Sequence, residues 1–78
     1  MINELDTVVL TADIPDLNLK KGDMGTVVFV HKNHGGYEVE FMTLDGNTIG
    51  VATLQPSQVR MIQQMEIASA RSIERLAA

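Results

Sequence analysis

Up to Ile62 the chain carries short apolar runs and one cleanly alternating stretch, separated at short intervals by turn-forming residues. Residues 5–11, with Val8, Val9 and Leu10 as an apolar run, read as a first strand. Residues 12–23 form a long loop. Pro15 lacks a ladder donor and biases Ile14 to extended geometry, and Asp13, Asp16, Asn18 and Gly22-Asp23 favour turns. Leu17 and Leu19 are expected to tuck this loop onto the core. Residues 24–32 predict a second strand, because Thr26-Val27-Val28-Phe29-Val30 carries the side chains that suit a pleated surface. Gly22 and Gly25 at its mouth allow a left-handed turn and a close backbone approach. Asn33-His34-Gly35-Gly36 predicts a turn.

Residues 37–43 alternate most cleanly, with Tyr37, Val39 and Phe41 on one face and Glu38, Glu40 and Met42 on the other. Asp45-Gly46-Asn47 makes the next tight turn. It leads to a strand over residues 48–54, in which Gly50 marks a bend or bulge. Residues 55–58 read as a short 3-10 turn and residues 59–62 as a brief closing strand. Five short strands with one long early loop predict a mainly β chain, a small five-stranded SH3-like β-barrel over residues 1–61.

After Ile62 the period changes. Gln, Met, Glu, Ala, Arg, Ile and Leu are adequate helix formers, and no Gly or Pro interrupts them, so residues 62–78 predict a C-terminal α-helix. At 100° per residue Ile62, Met65, Ala70, Ile73, Leu76 and Ala77 gather in one arc, with Glu66 and Ser69 intruding and Arg71, Glu74 and Arg75 mainly outside it. A helix of this length is marginal alone in water. The amphipathic stripe is therefore expected to serve in docking or oligomerisation, as a homodimer or homotetramer seam.

The chain has 78 residues and no cysteine, so its core is thin and neither disulfides nor a zinc site can reinforce it. No basic start followed by an apolar run opens the sequence and no window reaches membrane-spanning length, which predicts a cytoplasmic protein. Ten acidic residues against six basic ones give a formal charge of −4. Eight of the acidic residues fall in residues 1–62 with only four basic ones, so the negative excess lies on the expected barrel. Lys20, Lys21, Lys32, Arg60, Arg71 and Arg75 are scattered rather than clustered, which disfavours nucleic acid, and the acidic surface is compatible with a basic protein partner as well as with ordinary solubility, the commoner reason for a modest net charge.

Candidate chemistry is sparse. His31 and His34 lack a third ligand at metal-binding spacing, and the serines lack a nucleophile setting. Gly22 to Gly25 lacks the spacing and following helix of a phosphate loop. No cofactor is expected and an enzyme is improbable, with a small hydrolase built on Glu38 or His34 as the remainder. Glu38 and Glu40, two apart on one strand, emerge on one face and are candidate protein-interface residues, together with Ile62, Met65, Ser69, Ile73 and Leu76 on the helix. Phe29, Tyr37 and Phe41 are expected mostly inward, with Tyr37 alone able to line a groove.

Taken together, Asp6 to Leu10, Ile14-Pro15, Leu19-Lys20-Lys21-Gly22-Asp23-Met24-Gly25-Thr26-Val27-Val28, Gly36 to Phe41 and Thr53 to Val59 resemble the bacterial "domain of unknown function 4926" family over residues 4–61. The resemblance implies a small SH3-like barrel without recognised catalytic residues. It also implies a place in a small gene pair, as an antitoxin or immunity-like member. The expected function is a non-enzymatic, self-associating protein-binding module. The alternative is a KOW-like RNA- or ribosome-associated module using Lys20, Lys21 and Tyr37.

Overall fold

A computed structural model describes residues 1–73. Its five strands are β1 (Thr7–Leu10), β2 (Met24–Val30), β3 (Tyr37–Met42), β4 (Thr48–Leu54) and β5 (Val59–Met61). They form one antiparallel sheet in the order β4-β3-β2-β1-β5. The meander β1 to β4 is followed by a 3-10 turn, Pro56–Gln58, which returns the chain so that β5 pairs with β1. The result is a curled, barrel-like sheet. In the loop between β1 and β2, a 3-10 turn at Pro15–Leu17 ends on a left-handed Asn18, and a bridge between Ile14 and Leu19 closes the loop on itself. That closure buries Leu19.

The inward face of every strand supplies the core: Val8 and Leu10, Val27, Tyr37 with Val39 and Phe41, Ala52 with Leu54, and Val59, joined by Leu19 from the loop. Gly22 takes φ +96°, a conformation other residues adopt only with strain. Gly25 is needed for space: a Cβ there would come within 2.6 Å of Val39 Cγ1 and 2.9 Å of the Glu40 carbonyl oxygen. Gly50 makes room for Leu17, whose Cδ2 would lie 3.1 Å from a Cβ at that position. Beside it the β3 to β4 register shifts, because Phe41 faces Gly50 while Met42 faces Thr48.

Two expectations are corrected. Phe29 is half exposed rather than inward, because the β2 to β3 register shifts between Val27 and Phe29. The extra residue turns Phe29 to the outer face and returns Val30 to the core side. The second correction concerns the C-terminal α-helix. Residues 62–73 contain no helix, and the helical turns among the described residues are 3-10 only. Gln63 and Glu66 begin a turn, in which the Glu66 amide bonds the Gln63 carbonyl and the Glu66 carboxylate accepts from the Gln63 amide at 2.6 Å. It does not propagate. Arg60 holds the Glu66 carboxylate, and Arg71 is pinned to Asp23 across the fold. These tertiary anchors outweigh the weak, costly-to-nucleate helical preference of the segment.

Candidate functional site

Strands β2, β3 and β4 present one continuous outer face. Register pairs Phe29 with Glu38 and Glu38 with Thr53, and one row further Thr26 with Glu40 and Glu40 with Val51. Because side chains alternate across the pleat, these residues point the same way, opposite to Val39 and Phe41 in the core. Phe29 and Val51 stand 50% and 52% exposed, so an aromatic and an aliphatic side chain flank the two carboxylates.

Neighbours hold both carboxylates in place. The Thr53 hydroxyl donates to Glu38 Oε1 at 2.7 Å, and His31 Nε2 lies 2.5 Å from Glu38 Oε2. The Thr48 hydroxyl donates to Glu40 Oε2 at 2.9 Å. The Thr53 hydrogen bond and then the His31 contact hold the Glu38 carboxyl below its ordinary range, so it carries its charge near neutrality. His31 also meets Phe29 edge-on, with ring centroids 5.3 Å apart. Phe29, His31, Glu38 and Thr53 thus form one connected patch at the end of the β2 to β3 hairpin. The hairpin turn is tightly built: Asn33 and His34 both take positive φ, and His34 Nε2 is buried without a hydrogen-bond partner among the described residues.

The C-terminal candidates do not share a stripe. Ile62 is half exposed, Met65 is 97% exposed, Ser69 is exposed, and Ile73 packs partly against the core. Leu76 lies outside the described residues. What fixes this segment is a residue that periodicity places outside the stripe. Arg71 Nε donates to Asp23 Oδ1 at 2.8 Å, its Nη2 pairs with Asp23 Oδ2, and the same Nη2 donates to the Asn18 carbonyl at 3.1 Å. Burial alone would raise the Asp23 carboxyl. The bonds from Arg71 and from the Lys20 amide outweigh it and hold the group below its ordinary value. Residues 68–73 thereby form one wall of an open groove whose other wall includes Met24, Met42 and Leu44.

Alternation places Glu38 and Glu40 on one outer face, as the register shows, but it does not give Phe29 beside them, the contact of His31 with Glu38 or the Asp23 clamp. The bulge after Val27 carries no glycine to mark it, whereas Gly50 marks the shift beside β4. Arg71 lies 48 residues from Asp23, beyond any local pattern. Tyr37, the aromatic expected to line a groove, is 5% exposed and belongs to the core. The backbone amides of Lys20 and Lys21 donate to the Asp23 and Asp13 carboxylates, so two acidic side chains fold onto the loop that carries these lysines. Among the described residues no three His, Cys, Asp or Glu side chains converge as metal ligands. No helix among them is long and apolar enough to cross a membrane.

No curated protein and no solved structure matches the chain. A family model described as "Domain of unknown function (DUF4926)" matches residues 4–61, a span that holds all five strands, Gly25 and the Glu38 and Glu40 face. The chain belongs to the DUF4926 family.

Proposed function

We propose that this protein is a non-enzymatic protein-binding module that receives a basic partner on the outer face of β2, β3 and β4. The observation that carries the reading is the pairing of oriented carboxylates with exposed apolar side chains. Glu38 is held ionised by Thr53 and His31 beside half-exposed Phe29, and Glu40 is held by Thr48 beside Val51. Pre-ordered carboxylates lose little side-chain freedom when a Lys or Arg arrives, and an adjacent aromatic supplies a binding anchor. The net charge of −4 attracts a basic partner from a distance.

The biological setting we propose is the antitoxin- or immunity-like half of a small gene pair, as the family resemblance implies. Copurification with the product of the adjacent gene tests the partner. Glu38→Lys combined with Glu40→Lys is expected to weaken that complex by at least about tenfold, and Phe29→Ser to weaken it at unchanged charge. A complex that forms equally well with both variants refutes the face.

A further inference from the structure

The Asp23 clamp is a built docking site already filled by a peptide segment. Arg71 enters it with two nitrogens on the two Asp23 oxygens and a further bond to the Asn18 carbonyl. Two residues on, Ile73 reaches the hydrophobic core. The forked geometry selects arginine over lysine, and the pair is partly shielded, with Arg71 32% and Asp23 18% exposed. The segment joining this anchor to the barrel is of a different kind. Residues 62–70 contain no helix or strand and no buried residue. Met65 and Ile67 stand 97% and 93% exposed on it. The buried core, from Val8 to Val59, is complete without any residue of this segment.

We propose that residues 71–73 are exchangeable between copies, so that Arg71 and Ile73 of one chain dock on Asp23, Asn18 and the core of a second, giving a tail-exchanged dimer. The contacts of the closed chain recur between copies, which is why exchange of a short segment on an irregular connection costs little. A second copy is favoured over a foreign segment by Met65 and Ile67. In the closed chain they face water, and a second copy carries the same Arg71 and Ile73 that already fit the Asp23 clamp and the core. The tail in cis competes at an effective concentration on the order of millimolar, so the closed monomer predominates in dilute solution and exchange grows with concentration. This assembly is independent of the Glu38 and Glu40 face.

Two full-length variants separate trans docking from cis docking. Arg71→Ala keeps the clamp and loses the anchor. Asp23→Asn keeps the tail and an acceptor for the Lys20 amide but loses the charge. Neither can close its own strap well, yet the tail of the second complements the clamp of the first. Sedimentation velocity is expected to show each variant alone as a monomer and their equimolar mixture as a one-to-one dimer. A fluorescein-labelled peptide of residues 63–73 is expected to bind full-length Arg71→Ala, and an R71A version of the peptide to bind about tenfold more weakly. That comparison leaves Asp23 untouched, so it reads the clamp even where Asp23→Asn disturbs the loop. Equal binding of the two peptides, or no binding, overturns the proposal. Discriminating peptide binding with a mixture that stays monomeric overturns the exchange and makes the clamp a site for a foreign arginine-bearing segment.

Discussion

Replacing Gly25 by alanine tests how the barrel positions its outer face. An added Cβ would sit 2.6 Å from Val39 Cγ1, 2.8 Å from Phe41 Cε1 and 2.9 Å from the Glu40 carbonyl oxygen. Real Cβ atoms do not approach so closely, so something must move. The neighbours have little freedom to do so, because Val39 and Phe41 are 0% and 2% exposed and β3 is held on both sides by β2 and β4. Overpacking of this kind costs about 1–3 kcal/mol. Alanine also lowers the entropy of the unfolded chain, an offset of about 0.4–1 kcal/mol. With two core side chains and a backbone carbonyl all inside contact distance, the cost falls in the upper half of its range, and the net loss is about 2 kcal/mol. At about 4–8 °C per kcal/mol for a domain of this size, the midpoint of thermal unfolding should fall by roughly 8–16 °C. Urea denaturation followed by circular dichroism gives the free energy directly, with an unchanged denaturant slope marking an intact fold. Gly22→Ala is the companion measurement: φ is +96° there and nothing lies within 4 Å, so it reads backbone strain alone. A Gly25→Ala protein within about 0.5 kcal/mol of wild type would refute the close-approach argument.

Acid should weaken the fold in part through Glu38. Its carboxyl titrates below the ordinary value in the folded chain, so its stabilising contribution is present above the unfolded value and is lost as pH falls through the lowered folded one. Thr53→Val, which removes the main cause of that lowering, should flatten the decline of urea midpoint on acidification; an unchanged profile sinks the assignment. In the core, Leu54→Ala removes a side chain that is 2% exposed and should cost about 2–5 kcal/mol by urea denaturation, while a loss under about 1 kcal/mol would contradict its placement.

The strands were legible because each carries a local signature. Tyr37, Val39 and Phe41 alternate with Glu38, Glu40 and Met42, and the glycines at 22, 25 and 50 sit where the fold needs a turn, an approach and a bend. What the sequence hid depends on competition between distant groups. The arc of Ile62, Met65 and Ile73 is a real helical pattern, but whether it is realised depends on a helix outcompeting Arg60 for Glu66 and Asp23 for Arg71. Neither Asp23 nor Arg71 is unusual where it stands. Only the folded loop, with Asn18 left-handed and the Lys20 amide on Asp23, turns that carboxylate into a receptor for a guanidinium. Glu38 illustrates the intermediate case. Its face followed from alternation, whereas its partners Thr53 and His31 required knowledge of the register.

The bulge in β2 ties scaffold to face. Strict alternation from Val27 would send Phe29 into the core, where burying a phenylalanine stabilises by about 1.5–3 kcal/mol. A chain of this size has a thin core and gains from every aromatic it can bury. Instead the register shift after Val27 sets Phe29 opposite Glu38, half exposed, and leaves Phe41 and Tyr37 as the aromatics of the interior. The same shift sets the His31 and Phe29 rings in a T-shaped contact while His31 Nε2 meets the Glu38 carboxylate. One inserted residue therefore moves an aromatic from core to surface and couples it to an ordered negative charge. Forgoing that burial brings the fold no packing advantage that the contacts of Phe29 reveal. It has a ready physical reason if the outer face is where a partner binds, since an aromatic beside a fixed carboxylate is a combination that anchors a basic surface.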